Sequence, residues 1–137
     1  MKLAKYKIIN IDAILAGSKI NRIEDKAVKD AVVREYIALK RAANAATSDK
    51  NEITRKFQED WWGEMLAVKK LRDANQPVIG HLDYLDAERD ANNTISDLLK
   101  EEVDIDITPV PADAIMAVSE DITLEQVALL QEYGVIE

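Results

Sequence analysis

Residues 23–75 read IEDKAVKDAVVREYIALKRAANAATSDKNEITRKFQEDWWGEMLAVKKLRDAN, and the reading of this stretch decides the fold. In its first part Val28, Val32, Tyr36, Leu39, Ala43 and Ala46 recur at steps of 4, 4, 3, 4 and 3. That spacing predicts an amphipathic helix over 23–46 with a narrow apolar stripe. Glu35 lies on the same face as Leu39, and Asp30 with Arg34 makes an i,i+4 pair, worth a few tenths of a kcal/mol. In the second part Ile53, Phe57, Trp61, Met65, Val68 and Leu71 follow at steps of 4, 4, 4, 3 and 3, with Trp62 and Leu66 widening the stripe. Thr47-Ser48-Asp49 interrupts the pattern between them, and Asp49 with Glu52 has capping-box spacing, which allows a new helix to start there. The expectation is an antiparallel helical hairpin over about residues 23–75 with a short polar turn near residue 48. The alternative is one continuous helix through residue 49, against which Lys50 weighs by falling on the extended apolar seam. Asn75-Gln76-Pro77 stops the second helix, because the residue before proline resists the helical region.

Outward toward the N-terminus, Ile8, Ile11 and Leu15 are spaced for a helix over 4–17, ended at Gly17-Ser18. A short strand over Leu3–Ile9, edged by lysines, competes with it. Toward the C-terminus, Leu82, Tyr84 and Leu85 stand among Asp83, Asp86, Glu88 and Asp90, and Ile95, Leu98 and Leu99 resume a helical stripe. The period then changes: Val103, Ile105 and Ile107 alternate with Asp104, Asp106 and Thr108, the pattern of a half-buried strand. Pro109 and Pro111 end it and imply a sheet edge. Ala114–Val118 would return as the second strand of a small β-hairpin. Thr123 opens a short helix carrying Leu124, Val127 and Leu130, closed by Gly134. The fold class expected is therefore mainly α in a single domain, 1–137. It would comprise an antiparallel helical hairpin or bundle, a short β-strand or β-hairpin near the C-terminus and a short terminal helix, with the acidic elements over about 81–134.

A chain of 137 residues buries roughly 68% of its unfolded surface, enough for one ordinary core. Cysteine is absent, which excludes disulfides, thiolate metal sites and thiol nucleophiles. Lys2, Lys5 and Lys7 interrupt the start before an apolar signal region forms. No stretch approaches the ~20 apolar residues that span a bilayer. The expectation is a cytoplasmic protein with no membrane partner. The net charge of −8 hides an asymmetry: residues 1–80 hold 16 Lys/Arg against 11 Asp/Glu, and residues 81–137 hold 2 against 15. Either the halves fold together and neutralise each other, or the acidic half faces a basic partner. A nucleic-acid binder needs a concentrated basic face, and here the strongest field is negative, so no nucleic-acid partner is expected.

His81 is the single histidine. It cannot supply the paired Glu-x-x-His ligands of a di-iron bundle, and none of Ser18, Ser48, Ser96 or Ser119 lies in a G-x-S-x-G elbow. The acids at 83, 86, 88 and 90 lack the spacing and central glycine of a calcium loop, and the four glycines are isolated, so no phosphate loop is present. No catalytic, cofactor-binding or metal-binding residue is predicted. The candidate interface residues are Trp62, Tyr84, Asp104 and Asp106. Adjacent tryptophans on a helix point about 100° apart, so Trp61 belongs with Phe57 and Met65 while Trp62 sits on the margin of the core or anchors a partner. Asp104 and Asp106 share one face of the predicted strand, as a solvated edge or a weak site for a hard cation.

The segment Leu98-Leu99-Lys100-Glu101-Glu102-Val103-Asp104-Ile105-Asp106-Ile107, with Pro109 and the terminal Leu124-Glu125-Gln126-Val127-Ala128-Leu129-Leu130, resembles small proteins of tailed-phage and prophage genomes, of the domain-of-unknown-function 1617 type. The resemblance covers about half of the chain. It implies a phage or mobile-element origin with a structural or assembly role, and no catalytic residues. The functional expectation is a non-catalytic interaction or assembly protein that binds a protein partner or self-associates as a homo-oligomer. The alternatives are an acidic inhibitor or decoy for a basic protein surface, and an enzyme whose site is built from carboxylates alone.

Overall fold

The computed structural model describes residues 1–137. Its elements run β1 (Lys2–Ala4), α1 (Lys5–Leu15), a single 3₁₀ turn (Ile20–Arg22), α2 (Lys26–Asp73), α3 (Leu82–Lys100), β2 (Glu102–Asp104), α4 (Ala112–Val118) and α5 (Leu124–Glu132). The chain is mainly α, as the periodicity predicts. It divides into two compact units: residues 1–46 with 100–137, and residues 47–99.

The predicted turn near residue 48 is not there. α2 spans 48 residues with a kink at Trp61 and is unbroken through residue 49, so the alternative of a continuous helix there is the one realised. Its start is fixed by Asp25, whose Oδ1 accepts the Val28 N–H at 3.0 Å. Thr47, Ser48 and Asp49 are exposed and helical. Their modest propensities cost a few tenths of a kcal/mol each, while a second nucleation would cost far more. Without glycine or proline, nothing there breaks the helix.

In the first unit, β1 pairs antiparallel with β2, Leu3 opposite Val103. The expected C-terminal β-hairpin is therefore not formed. The strand partner of Glu102–Asp104 is the chain's own start, and the residues read as a return strand lie in α4. Pro111 is the N-cap of α4: a residue read as a terminator acts as a helix start, where its missing N–H is no loss. α1 follows β1 directly and buries Ile8, Ile11 and Leu15. α5 opens with a full capping box between Thr123 and Gln126. It closes with a Schellman motif: Val135 N–H to Leu130 O at 2.9 Å and Gly134 N–H to Gln131 O at 3.1 Å, with Gly134 at φ 77°. A parallel bridge joins Val110 to Ile136. The core gathers Leu3, Ile8, Ile11, Leu39, Ile115, Leu130 and their neighbours from all of these elements.

In the second unit, the later part of α2 and α3 form an antiparallel helical hairpin. Its turn is the stop expected at Asn75-Gln76-Pro77, also a Schellman motif: Gln76 N–H to Leu71 O at 2.9 Å and Asn75 N–H to Arg72 O at 3.1 Å, with Asn75 at φ 54°. The inner face of α2 is the predicted stripe of Phe57, Trp61, Met65 and Val68. Trp61 departs from helical geometry at φ −126°, ψ 20°, and marks the kink across which two helical stretches of α2 meet.

Candidate functional site

The predicted site residues separate. Tyr84 is buried within the hairpin and not at its surface: it is 2% exposed, with its ring against Phe57 at 5.6 Å and Trp61 at 6.1 Å. Its hydroxyl donates to Glu88 at 3.0 Å, and Glu88 also takes both Arg72 guanidinium N–H groups, at 2.8 and 2.9 Å. The Arg72 bond holds the Glu88 carboxyl below its ordinary range, while burial raises the Tyr84 hydroxyl. An aromatic flanked by acids in the sequence thus becomes the inner anchor of the hairpin, because its period aligns it with the α2 stripe.

Asp104 is exposed and accepts from the N-terminal ammonium of Met1 at 3.3 Å. Asp106 lies beyond β2, in a cleft with Arg34, Arg41 and Thr108, so the two acids do not share a strand face. No cluster of three or more His, Asp or Glu side chains is arranged for a metal ion. Other acids of the C-terminal half also meet basic groups within the fold: Lys5 with Glu101 at 2.8 Å, Arg22 with Glu120. By folded unit the asymmetry vanishes. The first unit holds 11 Lys/Arg against 15 Asp/Glu and the second 7 against 11, a net of −4 each.

Trp62 is 56% exposed and Leu66, one turn on, 46%. Both stand outside the hairpin's inner face. They continue a ridge with an ion pair at either end. Arg55 pairs with Glu59, and Lys69 with Asp73 at 2.6 Å. Near the hairpin turn Ile79 and Leu82 are also exposed. An apolar centre with a charged rim is the anatomy of a protein-binding patch.

The residue that the candidate list omits is Glu35. It sits on α2 among apolar side chains, 5% exposed, and neither carboxylate oxygen has a hydrogen-bond partner. Burial pushes its pKa up to about 8. It lines a cavity of about 210 Å³ with Leu15, Ser18, Ile20, Val32, Tyr36, Ile115 and Val118. The signal was in the sequence: an acid on the apolar face of a helix. Glu35 also borders the adjoining cleft, whose lining includes a second acid, Asp106, with Arg34 and Arg41.

No protein-family model matches the chain, and neither a curated protein nor a solved structure matches it. No helix is long and apolar enough to cross a membrane.

Proposed function

We propose that the chain is a non-catalytic interaction protein that self-associates, the Thr47–Leu99 hairpin of one copy docking on that of a second. The observation that carries this reading is the ridge Arg55, Glu59, Trp62, Leu66, Lys69, Asp73, all exposed. Its order is its own complement when run backwards. Set antiparallel about Glu64, position 55 faces 73, 59 faces 69 and 62 faces 66, so Arg meets Asp, Glu meets Lys and Trp meets Leu. A two-fold interface requires that kind of self-complementary patch. The apolar pair supplies the attraction, and the charges fix orientation and register. The resemblance to phage and prophage proteins fits an assembly role for such an oligomer, in the cytoplasm. Of the fifteen acids that would make a decoy surface, Asp86, Glu88, Glu101, Asp104 and Glu120 pair with the chain's own cations, which counts against the inhibitor reading.

Light scattering on a concentration series tests this. The expected result is a mass that rises to that of a dimer. Trp62→Ala removes burial worth about 1.5–3 kcal/mol on each copy. Two-fold symmetry doubles the effect, so dimerisation weakens by roughly a hundredfold or more. Glu59→Lys also weakens it, and Glu59→Lys with Lys69→Glu restores it. A monomer at all concentrations, or a dimer indifferent to these changes, contradicts the reading.

A further inference from the structure

A buried carboxylate without a partner is costly. Stripped of water, it must pair, protonate or be relieved by something that enters. Glu35 has no partner in the fold. Its neighbours in the cavity from α1 and α4 are Leu15, Ile115 and Val118, all apolar. Arg34 and Arg41 line the adjoining cleft with it, yet neither hydrogen-bonds its oxygens. The acid thus borders a space whose other walls are mostly hydrocarbon, with Ser18 and Tyr36 the polar exceptions.

We propose that this cavity binds a small apolar primary amine, whose ammonium pairs with the Glu35 carboxylate while its hydrocarbon body lies against Leu15, Ile20, Ile115 and Val118. The size fits: a dry apolar cavity of ~150 Å³ admits a benzene ring, and about 210 Å³ leaves room for a short aminoalkyl arm as well. The polarity also fits. An anion is repelled by the acid, a metal ion lacks further ligands, and water finds few partners against these walls. An ammonium brings both the charge and the several donors that two bare carboxylate oxygens need.

At neutral pH the buried carboxyl holds its proton and the free amine is already an ammonium. Forming the ion pair therefore sends the carboxyl proton to solvent, and the charges balance. The other titratable groups facing these spaces are Tyr36 in the cavity and Arg34, Arg41 and Asp106 in the adjoining cleft. The site is separate from the ridge of the second unit, so it stands or falls independently of self-association.

The test is titration calorimetry of the full chain with 2-phenylethylamine and with 2-phenylethanol, which differ only in the polar head. The wild type is expected to bind the amine at least tenfold more tightly. At pH 7 it should release a fraction of a proton approaching one per ligand, read from two buffers of different ionisation enthalpy. In Glu35→Gln, which keeps shape and removes the acid, the preference for the amine and the proton release both disappear. Amide shifts on binding should concentrate at Val33, Tyr36 and Ile115. Equal binding of amine and alcohol by the wild type, binding of neither, or an amine preference that survives Glu35→Gln overturns the proposal. If the variant does not fold, the wild-type head-group preference and proton release still decide it.

Discussion

The two units solve burial differently. Residues 1–46 and 100–137 close a core of their own: Ile8, Ile11 and Leu130 are all at 0% exposure, and every member of the core cluster lies in this unit. The hairpin of residues 47–99 fully buries only Val68 and Tyr84, while Trp62 and Leu66 stay in solvent. Two helices have one mutual face, so each has an outer side that its partner cannot cover. The first unit surrounds its apolar residues with seven elements: β1, α1, the 3₁₀ turn, the first part of α2, β2, α4 and α5. The second has two helices and a turn. The difference teaches where binding is to be sought. The closed core carries an internal defect, Glu35, beside exposed apolar side chains such as Ile37 and Leu124, whereas the open hairpin offers Trp62 and Leu66 one turn apart.

The largest effect expected comes from that defect. Glu35 has a folded pKa of about 8 against an ordinary 4.5. The folded state therefore keeps a proton that the unfolded chain gives up. Its contribution is most favourable below pH 4.5, declines as pH rises through 4.5 to 8, and is flat above. The span amounts to at most ~5 kcal/mol. Urea unfolding across that window should show the decline, and Glu35→Gln should remove it; an unchanged slope in the variant would mean that another group sets the pH dependence.

Next comes the contrast in packing. Leu130→Ala in the closed core should cost about 2–5 kcal/mol, while Leu66→Ala on the hairpin ridge, studied dilute, should stay within about 0.5 kcal/mol. Similar costs at both sites would erase the distinction between the units. The continuity of α2 gives an effect of comparable size: Ser48→Pro should cost about 3 kcal/mol, whereas a turn at that point would accept it almost freely. Smallest is Tyr84→Phe. It keeps the ring between Phe57 and Trp61 but removes the hydroxyl to Glu88, for about 1 kcal/mol in urea unfolding.

What the sequence made legible was what local periodicity controls. The stripes at 8, 11, 15 and at 57, 61, 65, 68 mark the faces that the fold buries or half-buries, and Asn75 and Gly134 end helices because their positions need a left-handed backbone. Three features escaped it for physical reasons. Continuity through Thr47-Ser48-Asp49 depends on a balance of small propensity costs against one nucleation cost, and a capping-box spacing carries no information about that balance. The pairing of Glu102–Asp104 with Lys2–Ala4 is non-local, and no pattern inside either segment names its partner. Tyr84 and Glu35 were placed by tertiary packing: the acids around Tyr84 pointed outward, whereas an acid on an apolar stripe turned inward. Of the four interface candidates read from the sequence, Trp62 alone combines an apolar side chain with an exposed position.

The most direct test of unequal closure is amide hydrogen exchange on the full chain at two protein concentrations, one dilute and one well above the association range. The account predicts that protection over residues 55–73 rises with concentration while that of α1, α4 and α5 does not change. Protection independent of concentration throughout, or a rise confined to the first unit, would contradict it.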